Sequence, residues 1–121
     1  MIFDTLEYLR KGGRIGGAKA LLGGMLKLNP VLTLKDGIIH PVIQARGRAK
    51  AVDALVDLMK KTGSPEEVVI EDATTPDERE DLIKRISAEL PKAKIIRSTV
   101  SPVIGVHTGP RVMVGGAIST V

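Results

Sequence analysis

Cysteine and tryptophan are absent from the 121 residues, and the only aromatic residues are Phe3 and Tyr8. Without cysteine there is no disulfide and no thiolate metal site, which fits a reducing cytoplasm. With so few aromatic rings to stack bases on, single-strand nucleic-acid binding is not expected. The core must come from Val, Ile, Leu, Met and Ala. Long apolar runs are missing too. The longest stretch free of acidic residues, lysine and arginine, Ser98 to Pro110, is broken by prolines and too short to cross a bilayer. Asp4, Glu7 and Arg10 interrupt the first ten residues, so no secretory leader is expected and the cytoplasm is the expected location.

What is present suits a globular chain. Hydrophobic residues make up 43% and charged residues 26%, and the length predicts a single domain over residues 1–121. The net charge of +4 and pI near 9.6 permit an anionic partner. The basic residues are scattered rather than clustered, so they do not require one.

The pattern predicts a first helix capped by Asp4 with Glu7, carrying Leu6 and Leu9 and ending at Gly12-Gly13. A second helix is expected from about Gly17 to Leu28, on the spacing of Leu21, Leu22, Met25 and Leu28. Gly23 and Gly24 interrupt it at about 1 kcal/mol each, a cost that the close approach of a ligand or another chain would explain. Asp36-Gly37 between two β-rich runs predicts a hairpin, with Pro41 marking an edge or a bulge. A helix over Arg48 to Thr62 and a strand in "EEVVIEDA" follow. The next helix opens with Thr75 as cap, Pro76 at its first position and Glu78 closing a capping box. "AKIIRST", "PVIGVHTG" and "RVMVGGAI" read as three final strands. The expected fold is α/β, a two-layer domain with one mixed sheet of about six strands covered by helices.

The glycine pairs of "KGGRIGGAKALLGG" invite comparison with a phosphate loop. Gly12 to Gly17 has the first spacing, but Lys19 is displaced and the following Ser or Thr is missing. The dinucleotide fingerprint fails as well, because Arg14 replaces a glycine and a helix precedes the motif. A helix start beside Arg14 remains, open either to an anion or to a reading as a plain interhelical turn with an exposed arginine. His40 reads as a surface strand residue. His107 closes an apolar run and is followed by Thr108. It reads equally as a structural histidine or as a hydrogen-bond donor to a carboxylate. The two histidines lie in different segments, so no metal site is expected. No serine carries a nucleophile signature, and the acidic start of the third long helix complements its dipole. Enzymatic activity is not expected.

"DTLEYLRKGGRI", "LNPVLTLKDG", "RGRAKA" and "VIGVHTGP" occur in that order. Together they resemble the C-terminal domain of the DegV family of bacterial fatty-acid-binding proteins, over residues 3 to about 110. The resemblance implies a lipid-binding domain that holds a long-chain fatty acid in a tunnel between two domains and takes no other cofactor. It also implies presentation of the carboxylate to a fatty acid kinase subunit for phospholipid synthesis. By match, His107 would meet the carboxylate, with the Thr108 hydroxyl beside it; Leu21, Leu22, Met25 and Leu26 on the glycine-containing helix are candidates for the acyl-chain lining, or else ordinary core packing. Arg14, and Arg46 or Arg48 of the "RGR" segment, would face ligand or partner. Two departures stand out. The family's N-terminal domain has no counterpart here, so a fragment or a free-standing half is expected, completed by self-association or by a separate chain. Arg111 occupies a place where the family carries glycine. The alternative reading is a regulatory or interaction domain that keeps the fold but has lost the lipid. A covalent histidine–substrate bond, as in the substrate-binding subunit of dihydroxyacetone kinase, matches the motifs less well.

Overall fold

The computed structural model describes residues 1–24 and 28–119. Helix α1 (Glu7–Lys11) leads into a 3₁₀ segment (Gly16–Gly24). Strands β1 (Asn29–Lys35) and β2 (Ile38–Ala45) follow, then α2 (Arg48–Lys60), β3 (Glu67–Asp72) and α3 (Pro76–Glu89). The chain ends with β4 (Lys94–Thr99), α4 (Pro102–Thr108) and β5 (Met113–Ile118).

The hairpin forms where the sequence places it. Asp36 and Gly37 have φ of 53° and 76°, the left-handed pair of a tight two-residue turn. The register slips opposite Val31 and Leu32, which pair with Ile43 and Pro41 and leave Val42 as the extra residue of a bulge. β3, α3 and β4 make a parallel crossover unit, and β5 returns antiparallel on the other side of β3.

Among the described residues the strands number two plus three rather than six. A two-stranded ladder, β2-β1, and a three-stranded one, β5-β3-β4, are spliced by Ile2, which bridges Val31 of β1 and Met113 of β5. Backbone amide hydrogen bonds hold the splice. Ile2 N–H donates to Met113 C=O (2.8 Å) and Met113 N–H returns to Ile2 C=O (3.1 Å). Phe3 N–H donates to Pro30 C=O (3.1 Å) and Leu32 N–H to Met1 C=O (2.8 Å). The result is one mixed sheet in the order β2-β1-Ile2-β5-β3-β4.

Side chains alternate across this sheet, and the alternation sorts two cores. Ile2, Val31 and Met113 face α2 and α3 and pack with Leu55, Met59, Leu82 and Ile86. Phe3, Leu32 and Val112 belong to a second core with Leu6, Leu9, Ala18 and Leu21 from α1 and the 3₁₀ segment. Helices therefore lie on both sides of the sheet's centre.

Several local expectations are corrected. "PVIGVHTG" is the helix α4, not a strand: Pro102 occupies a first-turn position, where its missing N–H costs nothing. Asp4 does not cap α1. Thr5 Oγ1 accepts the Glu7 N–H (3.2 Å), while Asp4 turns to Asn29, Arg48 and Arg111. Thr75 does stand at the α3 cap with Pro76 after it, but its buried hydroxyl makes no cap bond, and the Glu78 carboxylate pairs with Arg48 and Arg111 instead of closing a capping box. The expected second helix is a 3₁₀ segment over Gly16–Gly24, and the Met25 and Leu26 positions lie outside the described residues. There the glycines do have a steric purpose. A Cβ on Gly16 would lie 2.9 Å, and on Gly17 3.1 Å, from the Ile39 carbonyl oxygen, so glycine lets this segment rest on the β2 backbone. At Gly23 a Cβ would meet open space.

Ile2 is fully buried at the splice. Ile2→Ala is expected to cost about 2–5 kcal/mol, the range for emptying a well-packed aliphatic site. Urea denaturation should find a loss at least as large as that of Ile70→Ala in the centre of β3.

Candidate functional site

One cavity brings three of the sequence-predicted residues together. It has a volume of about 420 Å³ and lies between α1, the hairpin and α4. Arg14, His107 and Thr108 line it. The rest of the wall is mostly apolar: Met1, Phe3 and Leu9 from the N-terminal segment and α1, Leu34, Ile38 and Ile39 from the hairpin, and Ile104 from α4. Leu34, Ile38 and Ile104 are each more than half exposed, and Val103 and Val106 extend the apolar surface along α4. The cavity is thus open, with an apolar surround.

The polar groups are placed by short-range geometry. His107 sits in the last turn of α4, with Nδ1 buried and without a hydrogen-bond partner. Thr108 is buried, and its hydroxyl donates to the Gly109 carbonyl (3.2 Å), so its one proton reaches a carboxylate only by turning away from that carbonyl. Arg14 is exposed and is steadied by a bond from Nη1 to the Gly12 carbonyl (3.0 Å). A smaller cavity of about 150 Å³ lies beyond Thr108, between Asp4, Tyr8, Pro110 and Arg111.

The other candidates fall elsewhere. Leu21 and Leu22 pack in or against the second core and do not line the cavity. Arg46 is exposed in the bend between β2 and α2, and His40 is exposed on β2. Arg48 is committed. Its guanidinium reaches Glu78 (2.9 Å), Asp4 (3.2 Å) and the Arg111 carbonyl (2.7 Å). Arg111 in turn bridges Asp4 (3.0 Å) and Glu78 (2.9 Å). Two carboxylates and two guanidiniums thus close a ring that holds the loop after His107 against the N-terminal segment. Burial alone would raise the Glu78 carboxyl, but Arg48 and Arg111 hold it below its ordinary value. Among the described residues, no group of three His, Cys, Asp or Glu is placed to hold a metal, and no helix is long and apolar enough to cross a membrane.

The apolar wall escaped sequence reasoning because its members come from three separate segments. The available signal was in the hairpin, where Leu34 and Ile38 flank the turn as large apolar residues with no helix to cover them.

This fold, with an apolar cavity whose rim carries a histidine, a threonine and an arginine, defines an α/β domain suited to an amphipathic ligand with one anionic end. The chain belongs to the DegV family: the family model described as "Uncharacterised protein, DegV family" matches residues 1–119. A DegV domain-containing protein of Clostridium perfringens is 44% identical over 108 residues, covering 87% of this chain and 38% of that protein. Among solved structures, a DegV family protein from Thermus thermophilus, described with its fatty acid binding, superposes with a TM-score of 0.89 at 32% identity. The match covers 98% of this chain and 44% of that one. A stearic acid-binding protein from Eubacterium ventriosum gives a TM-score of 0.85 at 27% identity, covering 98% and 43%. The chain therefore spans about two-fifths of the length of the relatives it matches.

The arginine ring sets an acid limit. Because the folded Glu78 carboxyl is depressed, its contribution is complete above the ordinary value of 4.5 and is lost as the pH falls through the folded value. Thermal midpoints measured across that range should fall more steeply for the wild type than for Glu78→Gln, which should be less stable at neutral pH but flatter towards acid.

Proposed function

We propose that this chain is an acyl-chain-binding unit that takes a long-chain fatty acid, with the carboxylate at His107 and Thr108 and the hydrocarbon along the apolar wall of the cavity. The observation that carries this reading is the meeting of His107, Thr108 and Arg14 at an otherwise apolar cavity. The relatives that bind fatty acid, one of them stearic acid, support it. The lining is drawn from Phe3, Leu34, Ile38 and Ile104 rather than from Leu21 and Leu22.

Magnitudes assign the roles. About fifteen methylenes at about 0.8 kcal/mol each give an upper limit near 12 kcal/mol for full burial, whereas a hydrogen bond to a charged carboxylate contributes about 1.5–3 kcal/mol. Apolar area sets affinity and His107 sets orientation. The open mouth leaves a large part of the acyl chain wet unless another surface covers it. Either a second copy or the remainder of a longer DegV protein would complete the tunnel. Presentation of the carboxylate to a fatty acid kinase subunit is the accompanying proposal, with Arg46 available at the surface.

Extraction of the purified protein followed by mass spectrometry is the test. Long-chain fatty acid is expected in the extract. His107→Ala should weaken binding about ten- to a hundredfold, the loss of one charge-assisted hydrogen bond, and Ile38→Glu should abolish it. An empty protein that still captures a kinase subunit would support an interaction domain instead.

A further inference from the structure

Helices α1 and α4 lock together by exchanging a ring for a glycine in each direction. Tyr8 of α1 lies against Gly109 at the end of α4, where an added Cβ would stand 2.7 Å from ring atom Cδ2. His107 of α4 lies against Gly12 at the end of α1, where an added Cβ would overlap Nδ1 and stand 2.9 Å from Cε1. The Gly12 carbonyl also accepts the bond from Arg14.

We propose that Gly12 is a positioning residue for the carboxylate end of the cavity: its bare Cα seats the His107 imidazole, burying Nδ1 and leaving Nε2 as the nitrogen offered to the ligand. This rests on the reading of His107 as a carboxylate donor. The chemistry runs through the ring's two nitrogens. A proton on a buried Nδ1 would be an unsatisfied donor, whereas the neutral tautomer protonated at Nε2 puts its donor where an anionic oxygen would sit. Any side chain at residue 12 displaces the ring and separates Nε2 from that place.

Backbone conformation does not explain this glycine. Gly12 has φ of −81° and ψ of −2°, which any L-residue can adopt. At such a site alanine stabilises through the unfolded chain unless something in the fold opposes it. Here the opposing group is the imidazole, so removing the imidazole should make alanine acceptable.

The test combines imidazole ¹⁵N NMR on the ligand-free protein with palmitate binding, for the wild type, Gly12→Ala, His107→Ala and the double variant. In the wild type the imidazole should carry its proton on Nε2. In Gly12→Ala the ring signals should shift and lose that tautomer preference, while resonances of α2, α3 and β3 stay in place. Palmitate should bind Gly12→Ala roughly ten- to a hundredfold more weakly, as for the loss of one charge-assisted bond, and the double variant no more weakly than His107→Ala. Unchanged imidazole signals in Gly12→Ala, or losses that multiply in the double variant, would overturn the proposal. If the wild type binds no palmitate, the lipid reading fails and the imidazole comparison alone decides the role of Gly12. Should Gly12→Ala fail to fold, a folded double variant supports the seat and an unfolded one sinks it.

Discussion

The hydrogen-bonded rung at Ile2 is the constraint on which the rest of the molecule depends. Without it the hairpin and the three-stranded ladder would be separate sheets, each too small to carry two layers of helices. With it, neighbouring residues face opposite ways: Ile2 enters the core beneath α2 and α3, and Phe3 enters the core beneath α1 and the 3₁₀ segment. Phe3 and Met1 then form part of the cavity wall. Sheet continuity and the shape of the cavity are two results of the same few backbone bonds.

The ring of Asp4, Arg48, Glu78 and Arg111 acts on the same region from outside. Isolated pairs of this exposure contribute little, but here each guanidinium serves two carboxylates and Arg48 also binds the Arg111 carbonyl. A glycine at residue 111 could supply none of the side-chain bonds. The loop after His107 is therefore held by charge rather than by backbone preference alone.

Legibility followed the range of the forces involved. Helices α2 and α3, strand β3 and the Asp36-Gly37 turn follow from local periodicity and turn chemistry, and they stand where the sequence places them. Helix α4 was hidden because Val103, Ile104 and Val106 are β-branched and their spacing resembles a strand; Pro102 and contacts with α1 decide otherwise. Asp4 and Glu78 carry cap-like spacing, yet distant arginines outbid the local backbone. His107, Thr108 and Arg14 stand out in the ordered motifs, and the fold brings all three to one cavity. The apolar wall and the seat at Gly12 were not legible, since each is a meeting of residues remote in sequence, and a glycine beside a helix end reads first as a stop.

The irregularity of β2 has a consequence for assembly. Pro41 has no N–H to offer, the bulge at Val42 breaks the spacing of the ladder, and the 3₁₀ segment rests on the strand at Ile39. This margin of the sheet is a poor template for one more strand. Growth by strand addition is disfavoured along the edge of the sheet that lies beside the cavity.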